Sequence, residues 1–173
     1  WIRVANLAAS WPDHHLRCDR SGFTLQLRDG KVEVERSALW INQTPVSLDG
    51  MISGPVNPTL ELILTAPQIE AESFRDALPE QLRGLTGGIA LTAALQGRLT
   101  SPQVRIQALS PALRLQEELL EEVSLTGIWQ RDSLQVESLT GRWRGLVLAA
   151  AGTLSGSGDS TRLQGRLTAA GEL

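Results

Sequence analysis

Ile89-Ala90-Leu91-Thr92-Ala93-Ala94-Leu95-Gln96-Gly97-Arg98-Leu99 places an aliphatic residue or a glycine at every second position. A period of two puts those residues on one face of an extended strand and the intervening residues on the other. The same rhythm runs through Phe23-Thr24-Leu25-Gln26-Leu27, Val32-Glu33-Val34 and Val46-Ser47-Leu48-Asp49-Gly50-Met51-Ile52. It predicts an all-β chain built from strands with one dry and one wet face.

Strand-like stretches fall at 2–8, 15–20, 22–28, 31–41, 45–53, 59–65, 67–73, 88–98, 103–108, 111–116, 122–129, 133–139, 143–154 and 161–170. Asp29-Gly30 separates two alternating runs as a tight hairpin turn would. Asn42 to Pro45, Gly54 to Pro58, Ser101-Pro102, Ser110-Pro111 and Gly156 to Ser160 read as further turns. Short links between successive strands favour an antiparallel meander over parallel crossovers. Two stretches depart from the rhythm. Phe74, Leu78, Leu82 and Leu85 have helical spacing, with Ser73 as a cap and Pro79 limiting the stretch near 74–84 to a short helix or bent turn. Glu117 to Glu122 reads as one helical turn or a bulged strand.

Residues 23–54 and 123–154 share a pattern at an offset of about 100 residues, and a glycine recurs inside apolar runs at Gly50, Gly97, Gly152 and Gly165. Glycine within a strand permits a sharp bend or the close approach of another backbone. The chain starts at Trp1 and stops at Leu173 within strand-like pattern, as a segment cut from a longer repetitive protein would. The expectation is a single unit over 1–173.

Composition removes several function classes. In 173 residues, 16 basic and 19 acidic side chains are intermixed for a net charge of -3, so no basic stripe points to nucleic acid. No apolar run approaches the ~18 residues of a membrane-spanning helix. One cysteine, Cys18, excludes an intrachain disulfide. His14 and His15 are adjacent and project oppositely on a strand, a poor metal pair, and Cys18 completes no zinc spacing. Gly84 and Gly87-Gly88 lack the Lys-Ser/Thr of a phosphate loop. Glu117, Glu118, Glu121 and Glu122 lack the order of a calcium loop and read as a solvated strand end. No catalytic set, cofactor or metal is expected, and the reading is non-enzymatic. Trp1, Trp11, Trp40, Trp129 and Trp143 form no aromatic box and read as plugs of sheet ends or rims of a groove, with Trp40 opposite Leu39 and Ile41.

One-faced strands in this number can form a sandwich, close as a barrel, or curl into an open trough with an apolar inner face. The repeat favours the trough. A smooth aliphatic lining suits an acyl chain, whose CH₂ groups gain about 0.8 kcal/mol each on burial. A strand-forming polypeptide sheltering in the groove is the second candidate. A closed β-sandwich or barrel serving as a scaffold or adhesion module, with no cargo, is the alternative.

The cadence of short alternating strands, the recurring x-Leu-x-Gly-x-Leu, Ser101-Pro102 followed by Val104-x-Ile106, and the runs from Phe23 to Val34 and from Val46 to Ile52 resemble the TamB/AsmA-like family of bacterial intermembrane proteins. More narrowly they resemble a C-terminal part of its translocation-and-assembly-module branch. The resemblance implies a β-taco, a long curled antiparallel sheet forming an open trough with an apolar inner face, from which the stretch at 74–84, at most one short helix, is a departure. It implies a periplasmic part of an inner-membrane-anchored protein of a Gram-negative bacterium. That protein would work with a TamA-like outer-membrane barrel through another of its parts. Its groove would shield phospholipid or unfolded outer-membrane protein substrates such as autotransporters. In that family the inward apolar residues are the functional ones. By alternation they are here Phe23, Leu25, Leu27, Val32, Val34, Leu48, Ile52, Leu60, Leu62, Leu64, Leu91, Leu95, Leu99, Val104, Ile106, Leu125, Val136, Leu148 and Leu167.

Overall fold

Alternation turns into one antiparallel meander. The computed structural model describes residues 2–5, 9–11, 16–54, 56–77, 80–131, 133–155 and 162–171. Its strands are β1 (Ile2–Ala5), β2 (Ala9–Trp11), β3 (Leu16–Arg28), β4 (Lys31–Ile41), β5 (Thr44–Ser53), β6 (Thr59–Glu70) and β7 (Leu85–Thr86). They continue with β8 (Gly88–Arg98), β9 (Ser101–Leu115), β10 (Glu118–Gln130), β11 (Ser133–Trp143), β12 (Leu146–Ser155) and β13 (Arg162–Ala170). All belong to a 13-stranded sheet in the order β1-β3-β4-β5-β6-β8-β9-β10-β11-β12-β13, with β2 beside β3 and β7 beside β9. The order begins at β1 and ends at β13, and no pairing joins those two ends among the described residues.

The strands are longer and fewer than alternation predicts. The stretches at 15–20 and 22–28 fuse as β3, those at 59–65 and 67–73 as β6, which stops at Glu70 and leaves 71–73 in a 3-10 segment, and those at 103–108 and 111–116 as β9. Ser110-Pro111 is therefore no turn. The β9–β10 register passes from Ser110↔Val123 to Ala112↔Glu121 and leaves Pro111 across from Glu122. Glu122 has φ 52, a local irregularity at which a residue lacking an N–H is tolerated. Buried Ser110 sits beside it, its Oγ 2.7 Å from the Gly88 oxygen and 3.0 Å from the Ala112 oxygen. Ser101-Pro102 likewise opens β9, and the actual turn is Leu99-Thr100, where the Leu99 N–H donates to the Pro58 oxygen at 2.9 Å.

Irregularities of this kind recur. The register shifts between Val34 and Leu39 in β4, Ala66 and Ile69 in β6, Glu121 and Ser124 in β10, and Val136 and Leu139 in β11. Each one resets which alternate residues face a given side. In β4 the slip is bridged by buried Ser37, whose Oγ accepts the Leu48 N–H and donates to the Leu48 oxygen. The shifts at Val34/Leu39 and Val136/Leu139 occupy matching places in the two halves of the sequence repeat.

Asp29 (φ 50) and Gly30 (φ 72) form the expected tight hairpin. The stretch read as a short helix near 74–84 is two 3-10 segments, Ala71–Ala77 and Glu80–Leu82. Ser73 lies within the first of them, so it is not the cap; the segment starts directly from β6 with buried Ala71. Of the two readings for Glu117 to Glu122, the bulged strand is the observed one: Gln116-Glu117 turn, and β10 starts at Glu118. The turn expected over Gly156 to Ser160 lies outside the described residues, as do His14 and His15.

Two glycines hold backbones close together. A Cβ on Gly50 (φ +136) would run into the Glu61 carbonyl oxygen and stand 2.9 Å from the Leu62 Cα. A Cβ on Gly152 would meet the Gln164 oxygen at 2.5 Å and the Gly165 Cα at 2.7 Å.

Candidate functional site: one apolar face

The strand registers join into rows that cross the sheet. One runs Leu25, Val34, Gly50, Leu62, Leu95, Val104, Trp129, Leu134 and Leu154, each directly opposite the next. Directly paired residues share a face, so a row of pairs carries one chemistry from β3 to β12. The neighbouring row is Leu48, Leu64, Ala93, Ile106, Gly127, Val136, Gly152 and Gly165. Beyond it lie Ala66, Leu91, Ala108, Leu125, Leu139, Ala150 and Leu167, and on the other flank Leu27, Val32, Ile52, Leu60, Gly97 and Pro102. Leu148 stands one row further out, between Gly141 and Ala169. The intervening positions carry the charge: Glu33, Asp49, Glu61, Arg105 and Glu137, with Arg105 and Glu137 3.2 Å apart as an ion pair.

Eighteen of the nineteen residues picked out by alternation therefore lie on β-strands and share a face. Leu99 does not. Alternation continues the β8 run to it, but Gly97 turns the backbone to φ 94 and the strand stops at Arg98, leaving Leu99 in the turn at 56% exposure. Sequence reasoning also passed over Val46, Ala66, Leu113, Leu120, Val123 and Leu139, which occupy the same face. Val46, Ala66 and Val123 simply continue the alternation of Leu48, Leu64 and Leu125; Leu113, Leu120 and Leu139 fall out of step with it, as in Val136-x-x-Leu139, which only a register slip accommodates.

Burial along the face is uneven. Val34, Leu60 and Leu62 are buried, and Phe23, Leu25, Leu48, Ile52 and Leu95 pack against them. Toward the sheet's lateral ends the same face opens: Leu27 is 71% exposed, Leu167 72% and Ile2 64%. Two adjoining cavities lie near the β13 end. One of about 220 Å³ is bounded by Leu113, Leu120, Val123, Leu139, Leu148 and Leu167. The other, of about 460 Å³, is bounded by Val136, Leu139, Ala150, Gly152, Gly165 and Leu167.

A polar group borders this apolar region. The Trp143 indole N–H donates to Glu118 at 2.6 Å, and the Arg144 guanidinium donates to the same carboxylate at 2.5 and 3.1 Å. The Trp143 bond first, and the Arg144 bond second, hold the Glu118 carboxyl below its ordinary range. Trp143 sits at the end of β11, as a plug of the sheet end would, and Trp40 pairs with Pro45 on the side opposite Leu39 and Ile41.

Among the described residues, no group of three or more His, Cys, Asp or Glu is placed to hold a metal ion, and no helix is long and apolar enough to cross a membrane. No protein-family model, no curated protein and no solved structure matches the chain.

Proposed function

We propose that this chain is a non-enzymatic segment that shields hydrophobic cargo, in the first place the acyl chains of phospholipid, along the apolar face of its sheet. The observation that carries the reading is the aliphatic face itself. It runs row by row from β3 to β12 and is widely exposed at Leu27 and Leu167. A large exposed apolar patch generally has a ligand or partner. Its lining is Leu, Val, Ile and Ala with no convergent polar groups, which suits a ligand that needs no directional bonds. In this reading the sheet is curled into an open trough around that face. The close backbone approaches at Gly50 and Gly152 support the curl, because both glycines stand in the inward rows, where a side chain would hold the neighbouring strands apart.

The resemblance to the TamB/AsmA-like family extends the proposal: a periplasmic part of an inner-membrane-anchored protein of a Gram-negative bacterium, serving outer-membrane biogenesis. There it cooperates with a TamA-like outer-membrane barrel through another part of the parent protein. Unfolded outer-membrane proteins such as autotransporters are the other cargo of that reading, and the groove asks the same dryness of both.

The test is binding of a fluorescent fatty acid to the chain and to Leu167→Asp and Leu27→Asp. Both side chains are exposed, so a charge there leaves the fold and its circular dichroism intact while weakening acyl binding about ten-fold or more. A chain that binds no acyl probe, or variants that bind as tightly as the parent, would overturn the proposal and favour the cargo-free scaffold.

A further inference from the structure

A charged group stands on the apolar face. Glu118 is two residues from Leu120 in a regular part of β10 and so points to the same side of the sheet. Trp143 pairs directly with Leu120 on one flank and with Leu146 on the other. The indole and the carboxylate therefore belong to the dry rows and close them at the β9–β10 and β11–β12 turns. Leu120 also bounds the cavity of about 220 Å³, so the charges sit at its rim. Their hydrogen bonds leave capacity over. Arg144 donates to Glu118 through Nε and Nη2, and its Nη1 has no partner among the described residues. Glu118 Oε1 accepts from Nη2 alone, while Oε2 takes both Nε and the Trp143 indole N–H. Stacking over the Trp143 ring, 5.1 Å from its centroid, holds the guanidinium in place. The Arg144 and Glu118 side chains nevertheless stay 68% and 43% exposed.

We propose that Glu118, Trp143 and Arg144 seat the head of the bound amphiphile, and that this head is zwitterionic, as in a phospholipid carrying both a phosphate and an ammonium. The inference deepens the acyl-chain reading of the apolar face and rests on it. The phosphate lies on the Nη1 side of the Arg144 fork, whose planar donors suit phosphate oxygens. The ammonium lies on Glu118 Oε1. A zwitterion thus finds a partner for each of its charges, whereas an anionic head leaves the carboxylate unanswered and a cationic head meets the guanidinium. The Trp143 bond keeps the Glu118 carboxyl below its usual range, so it is ionised at neutral pH. From this seat the tail passes Leu120 toward Leu113, Val123, Leu139 and Leu148. The Trp143 ring suits such a boundary, with an apolar body beside the tail and its N–H in the polar group.

The probes are lysophosphatidylethanolamine and lysophosphatidylglycerol of one acyl chain, kept below their micelle concentrations and displacing a fluorescent fatty acid from the full chain. The ethanolamine lipid is expected to displace it at an about two- to five-fold lower concentration than the glycerol lipid. Glu118→Gln is expected to remove that preference, and Arg144→Gln to weaken both lipids by a similar factor. Arg105→Gln, which breaks an ion pair on the opposite face, is expected to change neither. On the unaltered chain, a nuclear Overhauser contact is expected between the Trp143 indole N–H and the ethanolamine protons. Equal displacement by the two lipids, a preference that survives Glu118→Gln, or head protons without contact to the Trp143 indole would each overturn the seat and leave acyl binding standing. Failure of every probe, the fluorescent fatty acid included, would overturn the seat together with the acyl-chain reading.

Discussion

Gly152 stands where the apolar rows press two backbones together. A methyl there meets the Gln164 oxygen at 2.5 Å, and backbone, unlike a flexible side chain, cannot step aside cheaply. Gly152→Ala should cost about 1–3 kcal/mol in denaturant unfolding. Gly145, at the β11–β12 turn, has open space for a Cβ, so the cost of Gly145→Ala comes from its φ of +85 and not from a clash. Glu118 makes a second prediction at this scale. Its folded pKa lies below the unfolded one, so its contribution to stability is complete above the unfolded value and is lost as pH falls through the folded value. Removing the leading cause with Trp143→Phe should move the Glu118 midpoint upward in a carboxyl NMR titration, and an unmoved midpoint would contradict that assignment.

Strands show how far the sequence could be read. A period of two was enough to place β4, β5 and β8 and to put their Val34, Leu48 and Leu95 on one face, because side-chain direction alternates without exception inside a regular strand. It failed where the strand is irregular. Ser110-Pro111 has the composition of a turn, yet the Ser110 hydroxyl, with a carbonyl on either side of it, joins two half-strands into β9. Ser110→Ala removes those contacts in a buried setting and should destabilise the chain by about 1–2 kcal/mol. Leu139 was overlooked for the same reason, since a register slip is a tertiary event that local alternation cannot express. The hairpin between β4 and β5 has the opposite character: Asn42 (φ 47) and Gln43 (φ 68) both take left-handed backbone, which suits Asn-Gly better than Asn-Gln. Gln43→Gly should raise stability by about 0.5–1 kcal/mol with an unchanged denaturant slope.

Across the whole molecule, one sheet carries two chemistries on its two sides: continuous aliphatic rows on one, and on the other charged residues interspersed with the exposed Ile63, Leu109 and Val147. Leu95 packs on the buried cluster of Val34, Leu60 and Leu62, so a charge there attacks the fold as well as any binding. Leu167 and Leu27 separate the two effects because they lie on the same face at its open ends. The most direct measurement is photo-crosslinking of a diazirine-bearing fatty acid to the full chain, with the labelled residues mapped. The account predicts labels at Leu27, Leu154 and Leu167 and along the rows between them, with Ile63 and Leu109 of the opposite face spared. No labelling of a well-folded chain, or equal labelling of both faces, would contradict it.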